Sequence, residues 1–319
     1  MATDKNEHLE CALKSHRIRK KQTLLDKHVS KRDEIITALK DKYERDIYDP
    51  FNSGSYAKNT AVNKKFDFDL IAPFKRKAFE TLEEMYSSVY SFLNEKYKAV
   101  ATVRKQKVSI GIEFFSDGVG DIVKIDVVSG RELNQNQYKD DNKLNLYVYS
   151  QFGKIAAGSD RLRTNVRAQV RNIKDHAEKA YLRQIIRLLK IWKIHLDKRC
   201  KSFFIELITI KAFDKENITG NLWERLKTVL EYIRDNVEEV VLFDPGNSGN
   251  DVADTLKDYE KSELSNDMKL IIDNTEENSD NIKLYFPINS EFSCEEESSN
   301  SRYGEKAAGI SIPPPKRFG

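Results

Sequence analysis

Apolar positions recur along this chain in two rhythms, and the rhythm changes near residue 160. Residues 1 to about 45 are rich in Lys, Arg, Glu and Leu and hold no proline or glycine. That composition favours helix. Leu24, Leu25, His28, Ile35, Ile36, Leu39 and Tyr43 fit one inward face of it. Asp49-Pro50 ends the helix, because proline pushes its predecessor out of the helical region. Phe66 to Pro73 then reads as a strand. Residues 78–98 read as an amphipathic helix with Leu82, Met85, Tyr86, Val89, Phe92 and Leu93 inward. Two alternating strands follow: Val108, Ile110, Ile112 and Phe114 in KVSIGIEFF, then Val123, Ile125 and Val127 in DIVKIDVV. The segment SDGVGD between them is a turn.

Beyond residue 160 the period is helical, over roughly 163–199, 202–214 and 221–238. Leu182, Ile185, Ile186, Leu189, Trp192 and Leu196 form one stripe at helical spacing. LYFP at 284–287 resembles a short strand. The end is rich in Ser, Glu, Gly and Pro and closes on PPPKRFG, an extended tail. The pattern therefore predicts an α+β chain in three parts: a mixed sheet with helices (1–160), a helical lobe (161–294) and a flexible tail (295–319).

Composition narrows the setting. Lys+Arg less Asp+Glu is 54 − 51 = +3, so no global field selects nucleic acid as partner. Hydrophobic residues make up 39%, enough for a core, and no apolar run is long enough to cross a membrane. Cys11, Cys200 and Cys294 are scattered and odd in number, which points away from a disulfide framework and towards a reducing cytoplasm.

The chemistry lies in FNSGSYAKNTAVNKKFDFDL, residues 51–70. Asp67 and Asp69 are two apart on a strand, so they project from one face while Phe68 turns to the core. Asp126 interrupts the apolar run VKIDVV and faces away from Val123, Ile125 and Val127. Three converging carboxylates repel one another, and divalent cations remove that cost. Two Mg²⁺ or Mn²⁺ ions, roughly 3.5–4 Å apart, hold the attacking and leaving oxygens of a phosphoryl displacement. Gly54 lets backbone approach a phosphate, and Ser55 offers it a hydroxyl and an N–H. Lys190 shares the polar face of its helix with Arg183 and Arg187; it reaches a triphosphate or stays solvated. Ser202 is placed to cap the next helix and to donate to phosphate. Arg163, Arg167, Arg171 and Lys174 would form a basic ridge if helical, open to nucleic acid, an acidic partner or water. Asn165, in RLRTNVRAQ, is either a base-reading amide or a helix cap.

These blocks resemble the cGAS/DncV-like nucleotidyltransferases (CD-NTases) of bacterial CBASS anti-phage systems, relatives of oligoadenylate synthase. The Gly-Ser…Asp-x-Asp block, KIDVVSG, LLKIWKIH with KSFFIELITIKAF, and LFDPGNSGNDV stand in the family's order. The resemblance implies a polymerase-β-like fold and a cytoplasmic enzyme of bacteria. It implies metal at Asp67, Asp69 and Asp126, phosphate at Gly54 and Ser55, and triphosphate at Lys190 and Ser202. It implies synthesis of cyclic di- or trinucleotides, or linear ones, from ATP or other NTPs, with the product sensed by a downstream effector. Gly319 resembles the C-terminus of members handled by ubiquitin-conjugation-like partners. No Cys/His zinc insertion is present, so the resemblance does not extend to activation by double-stranded DNA. The rival reading is an RNA- or tRNA-tailing transferase using the basic ridge as a track.

Overall fold

The computed structural model describes residues 2–65, 67–116, 118, 122–150 and 160–294. Phe66, part of the turn SDGVGD and the tail with Gly319 lie outside the described residues.

The N-terminal helix is two helices, α1 (Lys5–Ser15) and α2 (Gln22–Tyr43), separated by a 3-10 turn at Ile18–Lys21. Tertiary packing makes the break. Leu9 and Leu13 of α1 join the core of the helical lobe, whereas Leu24, Leu25, Ile35 and Leu39 of α2 join the core under the sheet. His16 turns the corner, its Nε2 at 3.1 Å from the Pro287 carbonyl.

The catalytic half then runs β1 (Phe51–Ser53), α3 (Gly54–Lys58), β2 (Phe68–Phe74), α4 (Leu82–Tyr97), β3 (Ala101–Lys105), β4 (Ile110–Phe114), β5 (Lys124–Glu132), α5 (Tyr138–Asp141), β6 (Leu144–Tyr147) and β7 (Arg161–Thr164). The sheet order is β1-β2-β5-β4-β3, and β6 and β7 extend it from β5. Only β2 and β5 pair in parallel; the other named pairs are antiparallel. Phe68, Leu70, Ile125 and Val127 are buried, and α2 and α4 cover that face.

The lobe comprises α6 (Val166–Lys174), α7 (Lys179–His195), α8 (Ser202–Lys215), α9 (Leu222–Asn236), the ribbon β8 (Phe243–Asp244) and β9 (Asn247–Asp251), α10 (Asp258–Glu277) and α11 (Ile282–Tyr285). The predicted helix over 163–199 is thus β7, α6 and α7, with breaks at Asn165 and Asp175. The segment LYFP spans the end of α11 and the two residues after it and is not a strand, since so short an apolar run carries no period. Leu182, Ile185, Ile186, Leu189 and Trp192 form the buried stripe, but Leu196 lies past the end of α7 and is exposed. Cys11 and Cys294 form a disulfide across 283 residues, which their scattered spacing did not reveal. Among the described residues, no helix is long and apolar enough to cross a membrane.

Candidate active site

The strand pairing itself assembles the site. Asp69 on β2 and Asp126 on β5 are register partners across the one parallel pair, and Ser53 on β1 is the partner of Asp69 on its other side. Asp67 lies just before β2 and is exposed, while Asp69 and Asp126 are half-buried. Gly54 turns the chain from β1 into α3 with φ +62°, a conformation that favours glycine. The turn presses on the carboxylate: a Cβ on Gly54 would stand 1.6 Å from Asp69 Oδ2. Tyr56 holds α3 down by stacking on Phe68, with ring centroids 4.2 Å apart.

Burial, followed by the charges of Asp67 and Asp126, pushes the Asp69 carboxyl up to about 7. Burial and Asp67 also raise that of Asp126, against a hydrogen bond donated by Gln106 Nε2 at 3.3 Å. A carboxylate set this poorly compensated fits a divalent cation. Among the described residues, no three His, Cys, Asp or Glu side chains are gathered on one ion position.

Opposite the aspartates, α7 and α8 wall a cleft of about 600 Å³ whose lining includes Gly54, Ser55, Asp67, Asp69, Lys193 and Ser202. Ser202 is the first residue of α8, not its cap, since Lys201 occupies that position. Its Oγ accepts from Lys193 Nζ at 3.4 Å. Lys190 does not lie on a solvated face: it borders the cleft and is buried. It is 4% exposed, and its ammonium donates to Glu206 Oε1 (2.7 Å), Thr60 Oγ1 (2.9 Å) and the Thr60 carbonyl (3.4 Å). Its three N–H groups meet these three acceptors. Lys58 donates to the other Glu206 oxygen at 2.7 Å. Burial alone would raise the Glu206 carboxyl; Lys190 and Lys58 override it and hold it at about 2. Burial pulls the Lys190 ammonium down, and Glu206 opposes that pull.

Asn165 caps α6. Its Oδ1 accepts from Ala168 N at 3.0 Å, and its Nδ2 donates to the Asp141 carbonyl at 2.9 Å. Gln169, rather than Asn165, lines the cleft. Asn165→Ala is therefore expected to cost about 1 kcal/mol of stability, as the loss of a helix cap does, and to leave the product unchanged. Denaturant melts and product chromatography check both halves. The basic ridge does not form as one helix: Arg163 lies on β7. Arg167, Arg171 and Lys174 lie on α6 and line a second cavity of about 520 Å³ with Arg19.

Lys58, Thr60, Gln106, Lys193 and Glu206 escaped the reading of the sequence. Glu206 carried a signal there: a lone acid inside FFIELITI conflicts with its apolar surroundings as Asp126 does in VKIDVV. Gln106 and Thr60 carried none, because their partners are set by the fold.

No protein-family profile matches the sequence. The CBASS oligonucleotide cyclase CdnC of Escherichia coli (strain KTE188) is 27% identical over 230 residues, 68% of each chain. The solved E. coli MS115-1 CdnC with ATP superposes with a TM-score of 0.59 at 19% identity, covering 78% of this chain and 84% of that one. The same CdnC has been solved in complex with HORMA-deltaN, with a TM-score of 0.59 at 18% identity over 81% of this chain and 88% of that one. Vibrio cholerae DncV cyclic AMP-GMP synthase, with nonhydrolyzable GTP, gives 0.61 at 13% identity, over 88% and 85%. The chain is a homologue of the CBASS oligonucleotide cyclase CdnC, with the polymerase-β-like fold of the CD-NTases.

Proposed function

We propose that this chain is a divalent-metal-dependent nucleotidyltransferase that joins nucleoside triphosphates into cyclic oligonucleotide messengers. One observation carries the reading: Asp69 and Asp126 stand in register on adjacent strands, with the Gly54-Ser55 turn packed against Asp69 at the cleft. Asp67, Asp69 and Asp126 would hold two Mg²⁺ or Mn²⁺ ions. Bound there, the ions supply Lewis acidity to a ribose hydroxyl and to the departing pyrophosphate.

The chain's own groups orient the reactants. Gly54 admits a phosphate to the backbone, and the Ser55 hydroxyl and N–H donate to its oxygens. Ser202 and Lys193 face them across the cleft and hold the rest of the triphosphate. Lys193 takes the clamp role here because the protons of Lys190 are already engaged. Lys193→Ala is expected to raise the KM for triphosphate about tenfold, the value of one charge-assisted hydrogen bond of ~1.5 kcal/mol, with kcat little changed. Steady-state kinetics on wild type and variant check it; an unchanged KM removes Lys193 from the clamp.

The ATP-bound relative makes ATP the first substrate to try, and the relative's HORMA complex makes a HORMA protein the first partner to add. The product would act on a downstream effector. A conjugation-type partner at Gly319 is a separate expectation, tested by deleting residues 313–319 and comparing purified activity with output in cells. The test of the function is incubation with each labelled triphosphate and Mg²⁺ or Mn²⁺, followed by phosphatase. Label that survives supports joined phosphodiesters; label fully released in every combination, with and without a HORMA partner, contradicts the reading.

An RNA- or tRNA-tailing transferase is the second reading, drawn from the four cations of the second cavity. It requires RNA affinity that falls steeply with salt, and extension of an RNA 3′ end in place of small products.

A further inference from the structure

The cleft is closed at the back by a buried ion triad drawn from three elements. Lys58 ends α3, Lys190 lies on α7 and Glu206 lies on α8. Glu206 accepts from both ammonium groups at 2.7 Å, and Thr60 Oγ1 also donates to it, at 3.3 Å. The three charged residues are 6%, 4% and 3% exposed. A buried triad of this kind is weak as a source of stability, because desolvation offsets most of the attraction. Its geometry offers a different account. Lys58 comes one turn after Ser55, and Glu206 one turn after Ser202. Ser55 and Ser202 both line the cleft. The Lys58–Glu206 bridge is therefore a strut, one turn deep, between the two helices that carry the two sides of the phosphate cradle.

We propose that Glu206 is a positioning residue that ties the Gly54-Ser55 turn to the Ser202-Lys193 rim and so sets the span across which a triphosphate is held. The inference rests on the nucleotidyltransferase reading. Both lysines line the cleft and are held by this tie: Lys190 donates to Glu206 and Thr60, and Lys58 lies between Glu206 and the Phe203 ring, 4.9 Å from its centroid. A monophosphate engages one side of the cradle only. A triphosphate needs both sides at the correct separation, so the tie bears on triphosphate alone.

Calorimetric binding of a nonhydrolysable ATP analogue and of AMP, each with Mg²⁺, to the full chain tests this. In Glu206→Gln, triphosphate affinity is expected to fall about 10–100-fold, as misplacement of a positioning group does, with AMP affinity unchanged and the kinetic loss falling mainly on KM. Lys58→Met severs the same tie but leaves a charge-balanced Lys190–Glu206 pair, so it keeps the fold; the same selective loss is expected. The double variant should be no worse than the worse single. A lowered melting temperature with an unchanged ratio of triphosphate to AMP affinity overturns the proposal, since it makes the triad structural only. A tighter triphosphate in Glu206→Gln also overturns it, by showing that the lysines are phosphate ligands with which Glu206 competes. If wild type shows no preference for triphosphate, the nucleotidyltransferase reading itself falls.

Discussion

Asp67→Asn with Asp69→Asn is expected to lower product formation by a factor of about 10⁴ while the fold stays intact. The amides keep the shape of the carboxylates and lose the charge that holds a divalent cation. The same variant carries a stability signature with a defined sign. Asp69 titrates near 7 in the fold and near its ordinary 3.8 when unfolded. Well below pH 3.8 both states keep the proton, and the residue contributes nothing. Between the two values the unfolded chain releases a proton that the fold retains, so stability falls as pH rises. The full penalty stands above pH 7. Fully expressed it would be about 4 kcal/mol; relaxation and solvent screening reduce it to on the order of 1–2 kcal/mol. In chelator at pH 8 the double variant should therefore melt above wild type, and the gap should close as the pH falls well below 3.8. Product at the wild-type rate, or a variant that melts lower at pH 8, removes the carboxylates from the centre of the account.

Gly54→Ala is expected to lower kcat/KM by about 10²-fold or more, through displacement of the very group it touches. The new methyl carbon would fall 1.6 Å from Asp69 Oδ2 and 2.6 Å from its Cγ, with φ at +62°. Backbone strain in that region costs ~1–2 kcal/mol for a residue with a Cβ. The overlap is with a side chain, which rotates away, so the fold survives and the metal ligand moves. Activity should fall much further than stability. A variant that loses both in proportion would show that the turn is structural only. Kinetics and a thermal melt on the same preparation separate the two outcomes.

The strands were legible in the sequence because their logic is local. Asp69 lies on β2, although Asp67 falls just before it, and an acid within VKIDVV needs a polar surface opposite Val123, Ile125 and Val127. Those three residues are buried and Asp126 is half-buried. The register that sets Asp126 beside Asp69 was not legible, since parallel pairing across 57 residues depends on the whole sheet. The lobe misled in a specific way. Helical spacing assigned Lys190 to a polar face, but Glu206 and Thr60 arrive from other elements and bury it. Period reports which positions share a face, not what packs against that face. The helix break before Arg167 was missed for a related reason: Arg163 at helical spacing from Arg167 looks the same whether or not Asn165 caps a new helix between them.

The most direct measurement of the central claim is the mass of what the purified chain makes from the four triphosphates with Mn²⁺ or Mg²⁺, with and without a HORMA protein. The account predicts a small product whose mass is a sum of nucleoside monophosphate units less one water per phosphodiester, with no terminal phosphate, absent from the Asp67→Asn, Asp69→Asn variant. A product that appears only as nucleotides added to an RNA 3′ end, or one that the double variant makes equally well, would contradict it.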